Sequence, residues 1–156
     1  MKLSISITTY NRAKILLNQL KELERQLQVN QIDAEILVIN DASLHKYTKE
    51  EDHLAGMPFK TKYERYNINQ GKKNHWRIVN RAFSWHRRND FDYVLYLQDD
   101  CELEGNFLSE LIRQFEVIDH DEKVCLNYVL EKSRQGKPVW TPVHPRVYKY
   151  GKTKLY

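Results

Sequence analysis

The run ILVI at residues 36–39 constrains the fold of this chain more than any other feature of its sequence. A strand with one face in water alternates apolar and polar side chains, whereas an uninterrupted apolar strand is covered on both faces, as in parallel sheets. Parallel neighbours need crossover connections, which helices supply. The run therefore predicts an α/β fold, in which this strand lies at the centre of a mostly parallel sheet flanked by helices.

The rest of the chain alternates strand and helix patterns. Residues 2–8 alternate apolar and polar positions as a strand does, and leucines then recur at helical spacing from Asn11, a candidate N-cap, to Asn30. Asn106 is the expected N-cap of another helix, which begins after it. A hairpin and an ordered arm are expected after Glu131. Further strands are predicted at 59–66, 93–97 and 124–130, a short helix within 44–57, and a basic amphipathic helix at 72–88.

Length and composition indicate one folded domain. A chain of 156 residues can bury a proper core, and a hydrophobic fraction of 41% with ten tyrosines argues against disorder. No apolar run approaches the roughly 20 residues of a membrane span, and the N-terminus lacks the apolar stretch of a secretory signal. We therefore expect a cytoplasmic protein in which Cys101 and Cys125 are reduced, structural thiols.

Polar segments follow the predicted strands at their carboxyl ends, which is where an open parallel sheet binds ligands. These segments are TTYNR, NDAS, NQGK and QDD, at residues 8–12, 40–43, 69–72 and 98–100. The net charge of +4 suits anionic partners such as nucleoside diphosphates, anionic lipid headgroups or nucleic acid. We therefore expect a site for an anionic ligand at this edge of the sheet.

The pair Asp99 and Asp100 follows a buried strand and suits a hard divalent cation, which takes oxygen ligands and bridges phosphates. A carboxylate about 4 Å from a phosphate charge is repelled by about 4 kcal/mol at an effective dielectric constant near 20, so a diphosphate beside this pair needs an intervening cation. The alternative is structural, since an Asp-Asp pair can simply end a strand and cap the turn that follows.

Two further strand ends carry candidate ligand groups. Asp41 can accept hydrogen bonds from a base or a ribose, although an Asx turn with Ser43 explains it equally well. Lys72 and Lys73 follow Gly71 at the start of a helix, where free backbone N–H groups favour phosphate, although an ordinary turn is the alternative. Like charges at positions 73, 77 and 81 would repel each other along one stripe of that helix, and an anionic ligand would relieve the repulsion.

The segments ISITTYNR, EILVINDAS, NINQGKKNHWRIVNRAF and DYVLYLQDDCELEGNFL, in this order and spacing, resemble the successive blocks of family 2 glycosyltransferases. The resemblance covers residues 2 to about 120 and implies a Rossmann-like GT-A fold that binds a nucleotide-diphospho-sugar. It further implies a single GT-A-like domain over 1–156, in which residues 1–130 form the nucleotide-sugar-binding part and 131–156 a partial acceptor-side arm.

The resemblance also implies roles for individual residues. It assigns nucleotide-sugar binding to Thr8, Tyr10, Arg12, Asp41, Gly71, Lys72, Arg77 and Asp99. Asp100 would be the ligand of Mn²⁺ or Mg²⁺, with Asp99 beside it near the ribose, the sugar or the metal. Two positions depart from the family pattern, because Asn40 and Gln98 stand where the family usually has acids and each loses a charge.

The function implied is metal-dependent transfer of a sugar, with inversion, from a UDP-, GDP- or dTDP-linked donor to a hydroxyl of a glycan or lipid-linked glycan. The net positive charge of the chain is compatible with peripheral contact between the protein and the inner face of the membrane. His144, the only histidine after Glu131, is the weak candidate there for the general base, and the favoured alternative is an ordinary loop residue in contact with solvent. The alternatives are a catalytically incomplete nucleotide-sugar-binding module and, less favoured, a basic nucleic-acid-binding protein.

Overall fold

A computed structural model describes residues 1–87, 91–101, 103, 105–117, 131–132 and 138–139. The chain divides into two compact units, residues 1–112 and 113–156. In the part of the chain that the structure describes, no helix combines the length and the apolar character that a membrane span requires. The prediction of a single domain over 1–156 stays a prediction.

The main sheet has four strands in the order β3-β2-β1-β4, and all of its neighbouring strands are parallel. Helices connect these strands, so the predicted α/β class is confirmed. In chain order the elements are β1 Lys2–Thr9, α1 Ala13–Val29, β2 Asp33–Asn40, α2 Thr48–Gly56, β3 Lys60–Arg65, α3 Gly71–His86, β4 Tyr93–Gln98, α4 Phe107–Val117, β5 Glu131–Lys132 and β6 Pro138–Val139. The last two strands pair antiparallel, which confirms the expected hairpin.

Strands β1 and β2 form the centre of the sheet, and the ILVI run predicts this position for β2. Residues 3–9 and 34–40 are buried on both faces. Leu37 and Ile39 pack against Ile78 and Ala82 of α3, which accounts for the apolar stripe of that helix. Helix α1 contributes four fully buried leucines at positions 16, 20, 23 and 27, and burying a side chain of this size stabilises a fold by about 1.5–3 kcal/mol.

Helix α3 also buries a histidine against β1. His86 is 7% exposed, with its Nδ1 2.6 Å from Ser4 Oγ and its Nε2 3.1 Å from Ser6 Oγ. Burial disfavours the charged imidazolium and lowers the pKa of His86 to about 4. The hydroxyl groups of Ser4 and Ser6 in β1 therefore hydrogen-bond to a neutral, buried imidazole.

The start of α1 differs from the prediction. Arg12, not Asn11, is the N-cap, and its side chain makes no capping hydrogen bond. Asn11 instead has a left-handed backbone, with φ 55°, and its Oδ1 accepts a hydrogen bond from the Leu44 N–H at 2.7 Å. The carboxamide is thus used to join two loops, because asparagine tolerates this conformation better than most residues.

The start of α4 agrees with the sequence. The helix begins directly after Asn106, whose carbonyl accepts the Glu110 N–H at 3.0 Å. The strand predicted at 124–130, Cys125 and His144 lie outside the described residues.

Candidate functional site

The carboxyl ends of three neighbouring strands open into one crevice. Its lining residues are Thr8, Thr9, Tyr10, Asp41, His75, Ile78, Gln98 and Asp99. Asp41 and Asp99 are held on opposite sides of the end of β1. The Asp41 N–H donates to the Thr9 carbonyl at 2.9 Å, and the Asp99 N–H donates to the Thr8 carbonyl at 3.0 Å. The parallel sheet therefore brings together four of the residues to which the resemblance assigned nucleotide-sugar binding.

Asp99 is buried and fully engaged by donors. It is 5% exposed. Its Oδ2 accepts hydrogen bonds from Thr9 Oγ1 at 2.8 Å and from the Tyr10 N–H at 3.0 Å. Its Oδ1 accepts a hydrogen bond from Arg12 Nη1 at 2.9 Å. A buried carboxylate is stable only when it is paired and hydrogen-bonded, and this one is both.

Asp100 is half exposed, although it is the next residue in the chain. Its side chain is 52% exposed, and its Oδ2 lies 3.1 Å from Arg12 Nη1. The same guanidinium nitrogen therefore bridges the two carboxylates. The hydrogen bond to Asp100, and then the one to Asp99, raises the pKa of Arg12, so the bridging group is a permanent cation.

This donor set suits a divalent cation at Asp100. Magnesium-type sites need only one or two carboxylates when substrate phosphates and water complete the coordination. Asp100 has an exposed carboxylate for this purpose, whereas Asp99 already serves three donors. Among the described residues, no group of three or more His, Cys, Asp or Glu side chains forms a metal site of its own. Asp100, rather than the pair, is the residue that would hold the metal.

The turn that carries Asp99 and Asp100 is held in place by hydrogen bonds from the side chain of Gln19 in α1. Gln19 is 4% exposed, and its Nε2 donates to the carbonyls of Gln98 and Cys101, both at 2.9 Å. The Cys101 N–H closes the turn on the Gln98 carbonyl at 3.1 Å. Sequence reasoning missed Gln19, yet a signal was present, because position 19 lies among the apolar positions 16, 20 and 23 of the buried helix face.

Asp41 joins the end of β2 to the loop before α3. Its Oδ1 accepts the Gln70 N–H at 2.8 Å, and its Oδ2 accepts from Asn69 Nδ2 at 3.0 Å. Gly71, which follows, has a left-handed backbone with φ 58°, where a Cβ would lie 3.3 Å from Asn69 Oδ1. The glycine therefore permits both the turn and the contact between Asn69 and Asp41.

His75 is a crevice residue that the sequence did not single out. Its Nε2 lies 3.4 Å from Tyr96 Oη, which is 3.3 Å from Thr8 Oγ1. Burial raises the pKa of Tyr96, so this hydroxyl keeps its proton. His75 therefore places a hydrogen-bonding ring at the wall of the crevice that α3 contributes.

The lysine and arginine residues of α3 are not among those that line the crevice. Lys72 and Arg77 are exposed and do not line the crevice, and the Arg77 guanidinium lies 5.4 Å from the centre of the Trp76 ring. The expected stripe of three unpaired cations is wrong, because Arg81 forms a two-pronged ion pair with Glu64. Glu64 therefore neutralises Arg81 and removes its part of the repulsion that we expected an anionic ligand to relieve.

The two departures from the family pattern have different structural consequences. Asn40 is fully buried, its Nδ2 donating to Tyr63 Oη at 2.6 Å and its Oδ1 accepting the Ser43 N–H at 2.8 Å. An amide suits this position because it must donate and accept at once. Burial raises the pKa of Tyr63 to about 12. Gln98, in contrast, is exposed and lines the crevice.

A sequence model described as glycosyl transferase family 2 matches residues 4–154. The chain belongs to glycosyl transferase family 2. This family 2 chain matches no curated protein sequence. Its fold is similar to Staphylococcus aureus TarS residues 1–349, with a TM-score of 0.58 and 17% identity over 84% of this chain and 41% of that one. It is also similar to the same TarS fragment in complex with UDP-GlcNAc, with a TM-score of 0.55 and 20% identity over 75% of this chain and 32% of that one. The likeness confirms the GT-A type of fold, and the chain spans less than half of these neighbours.

Proposed function

We propose that this family 2 chain binds a nucleoside-diphosphate sugar in the crevice and transfers the sugar to an acceptor hydroxyl. One observation carries the proposal: two adjacent carboxylates follow β4, one buried and held by donors, the other exposed and accessible to a cation although it also pairs with Arg12. Such a division of roles suits a metal-bound diphosphate, because the exposed carboxylate can hold the counter-ion while the buried one fixes Arg12 beside it.

The donor in this proposal is a UDP-, GDP- or dTDP-linked sugar. The similar TarS structure in complex with UDP-GlcNAc makes UDP the first nucleotide to test. Asp41 is the polar group nearest the base or ribose in this reading, because it follows β2, which β1 separates from β4 and Asp100. Thr8, at the end of β1, lines the crevice between them. Tyr10 is 43% exposed at the rim, where an aromatic ring can cover a bound base.

A Mn²⁺ or Mg²⁺ ion at Asp100 would supply Lewis-acid stabilisation of the departing diphosphate. The chain's own residues set up that step. Arg12 holds a permanent positive charge beside Asp100, and Asp99 fixes that guanidinium in place. The N-terminus of α3, with Gly71 and Lys72, adds backbone donors and positive charge near the Asp41 side of the crevice. Inversion at the sugar carbon would require a base for the acceptor proton, for which His144 stays a prediction.

The acceptor in this proposal is a glycan or a lipid-linked glycan, and the protein works at the inner face of a membrane. Lys72, Lys73, Arg77 and the 56% exposed Trp76 support this, because cations beside an exposed tryptophan suit an anionic lipid surface. A catalytically incomplete nucleotide-sugar-binding module is the second candidate. It is favoured by Asn40 and Gln98, which stand where the family usually has acids.

Isothermal titration of UDP and GDP, with and without Mn²⁺, tests the proposal. We expect one nucleotide to bind only with Mn²⁺, Asp100→Ala to abolish that binding, and the exposed α2 variant Asp52→Ala to leave it intact. Hydrolysis or transfer of a bound donor would then distinguish an enzyme from a binding module. If neither nucleotide binds under any condition, the proposal fails.

A further inference from the structure

A tyrosine hydroxyl lies buried where the loops after β1 and β2 meet. Tyr47, the residue before α2, is 1% exposed and does not line the crevice. Its Oη accepts the Arg12 N–H at 2.7 Å and the Ser43 hydroxyl at 2.9 Å, and it lies 3.4 Å from Thr9 Oγ1. The Tyr47 hydroxyl therefore contacts the end of β1 at Thr9, the loop after β1 at Arg12 and the loop after β2 at Ser43, all beside the candidate donor site.

The direction of this hydrogen-bond chain is fixed by its last member. Thr9 donates its only hydroxyl proton to Asp99 Oδ2 at 2.8 Å, so Thr9 Oγ1 can only accept from Tyr47. The Tyr47 proton therefore points toward Thr9, and the Tyr47 oxygen accepts from Arg12 and Ser43. The protons run in one direction, from Ser43 to Asp99, and each bond polarises the next.

Arg12 is held at two places by the same network. Its backbone N–H is bound by Tyr47 Oη, and its guanidinium is bound by Asp99 and Asp100. Asp99, in turn, receives the Thr9 proton that the Tyr47 hydroxyl orients. Removing one oxygen atom from Tyr47 would thus loosen both the carboxylate and the cation, while the aromatic ring would still fill the same space.

We propose that Tyr47 is a positioning residue of the donor site, which aligns Asp99 through Thr9 and holds Arg12 through its backbone N–H. The inference rests on the proposed function, because its purpose is to pre-organise the groups that meet the diphosphate. Pre-organisation of this kind improves binding by removing the cost of ordering the site when the ligand arrives.

The test compares Tyr47→Phe with Tyr63→Phe in the full chain. Tyr63 also has a hydroxyl in a buried hydrogen bond, to Asn40, but it does not line the crevice or contact Asp99. We expect Tyr47→Phe to weaken UDP binding in the presence of Mn²⁺ by about fivefold to tenfold, as the loss of one hydrogen bond would, and Tyr63→Phe to change it less than about twofold. Equal affinity in the wild type and in Tyr47→Phe would overturn the proposal.

Two further measurements separate positioning from general support of the fold. Thr9→Val breaks the same chain one step later, so the Thr9→Val and Tyr47→Phe losses in UDP affinity should not add in the double variant. Fully additive losses would contradict the relay. Hydrogen exchange of the Arg12 amide should accelerate in Tyr47→Phe and not in Tyr63→Phe, whether or not nucleotide is present. If the wild type binds neither UDP nor GDP, the proposed function fails, and an unchanged Arg12 exchange rate would then refute the anchoring by Tyr47 independently.

Discussion

Asp99→Asn and Asp100→Asn make the same chemical change at adjacent positions with opposite burial. Asp99 is 5% exposed and accepts three hydrogen bonds, whereas the Asp100 side chain is 52% exposed and pairs with Arg12. An asparagine at 99 must turn its NH₂ group toward either Arg12 or the Thr9 and Tyr10 donors. At least one charge-assisted hydrogen bond is then lost, and a donor faces a donor.

The expected cost follows from these contacts. A buried hydrogen bond to a charged group contributes about 1.5–3 kcal/mol. The Arg12 side chain is 45% exposed, which favours the lower part of this range, so we expect Asp99→Asn to lower the free energy of unfolding by about 2 kcal/mol. For a chain of this length, that loss lowers Tm by about 4–8 °C. Asp100→Asn breaks a solvent-exposed ion pair and should cost about 0.5 kcal/mol or less.

Urea unfolding of both variants, followed by circular dichroism, measures the difference. Mn²⁺-dependent UDP binding should show the reverse order of sensitivity, because Asp100 is the residue free to take the metal. The reasoning is refuted if the two variants lose equal stability, or if Asp100→Asn is the less stable of the two, since burial would then not distinguish the two carboxylates.

Two further predictions concern stability alone. Gly71→Ala should cost about 1–2 kcal/mol, because φ is 58° and the new Cβ would crowd Asn69, whereas Gly56→Ala should be tolerated, since nothing lies within 4 Å of its Cβ position; comparable urea midpoints for both variants would contradict this. Burial lowers the pKa of His86 to about 4, so the unfolded chain binds the proton at a higher pH than the folded protein does. The free energy of unfolding should therefore be greatest above pH 6.5 and should fall as the pH drops toward 4. His86→Gln should flatten this pH dependence while the exposed His45→Gln keeps it, and an unchanged slope in His86→Gln would show that another group is responsible.

Much of the sheet could be predicted because strand and helix periods are local properties of the sequence. The ILVI run identified β2 as a central strand, the alternation in residues 2–8 identified β1 as a strand, and the rule for parallel sheets brought Asp41 and Asp99 to one crevice. Local pattern failed at Asn11, because its side chain bonds to a loop 33 residues away rather than to the helix that follows.

The supporting residues of the site were not predictable in this way. Tyr47 lies in a polar segment with no periodic signal, and its hydroxyl acts on a residue 35 positions away. The sequence indicated Arg81 only as one of a row of cations, because its partner Glu64 lies on β3 rather than on the same helix. Contacts of this kind depend on how distant elements pack, and the sequence pattern within a single element does not contain that information.

The sequence by itself determined the α/β class, the order of the strands and helices, and the presence of two adjacent carboxylates at the end of β4, since each of these depends on side chains close together in the chain. Only the tertiary structure decided that Asp99 is buried and Asp100 exposed. The turn fixed by Gln19 directs the Asp99 carboxylate inward to Thr9 and the Asp100 carboxylate to the surface, with Arg12 between them, and this difference in burial gives two identical side chains different roles.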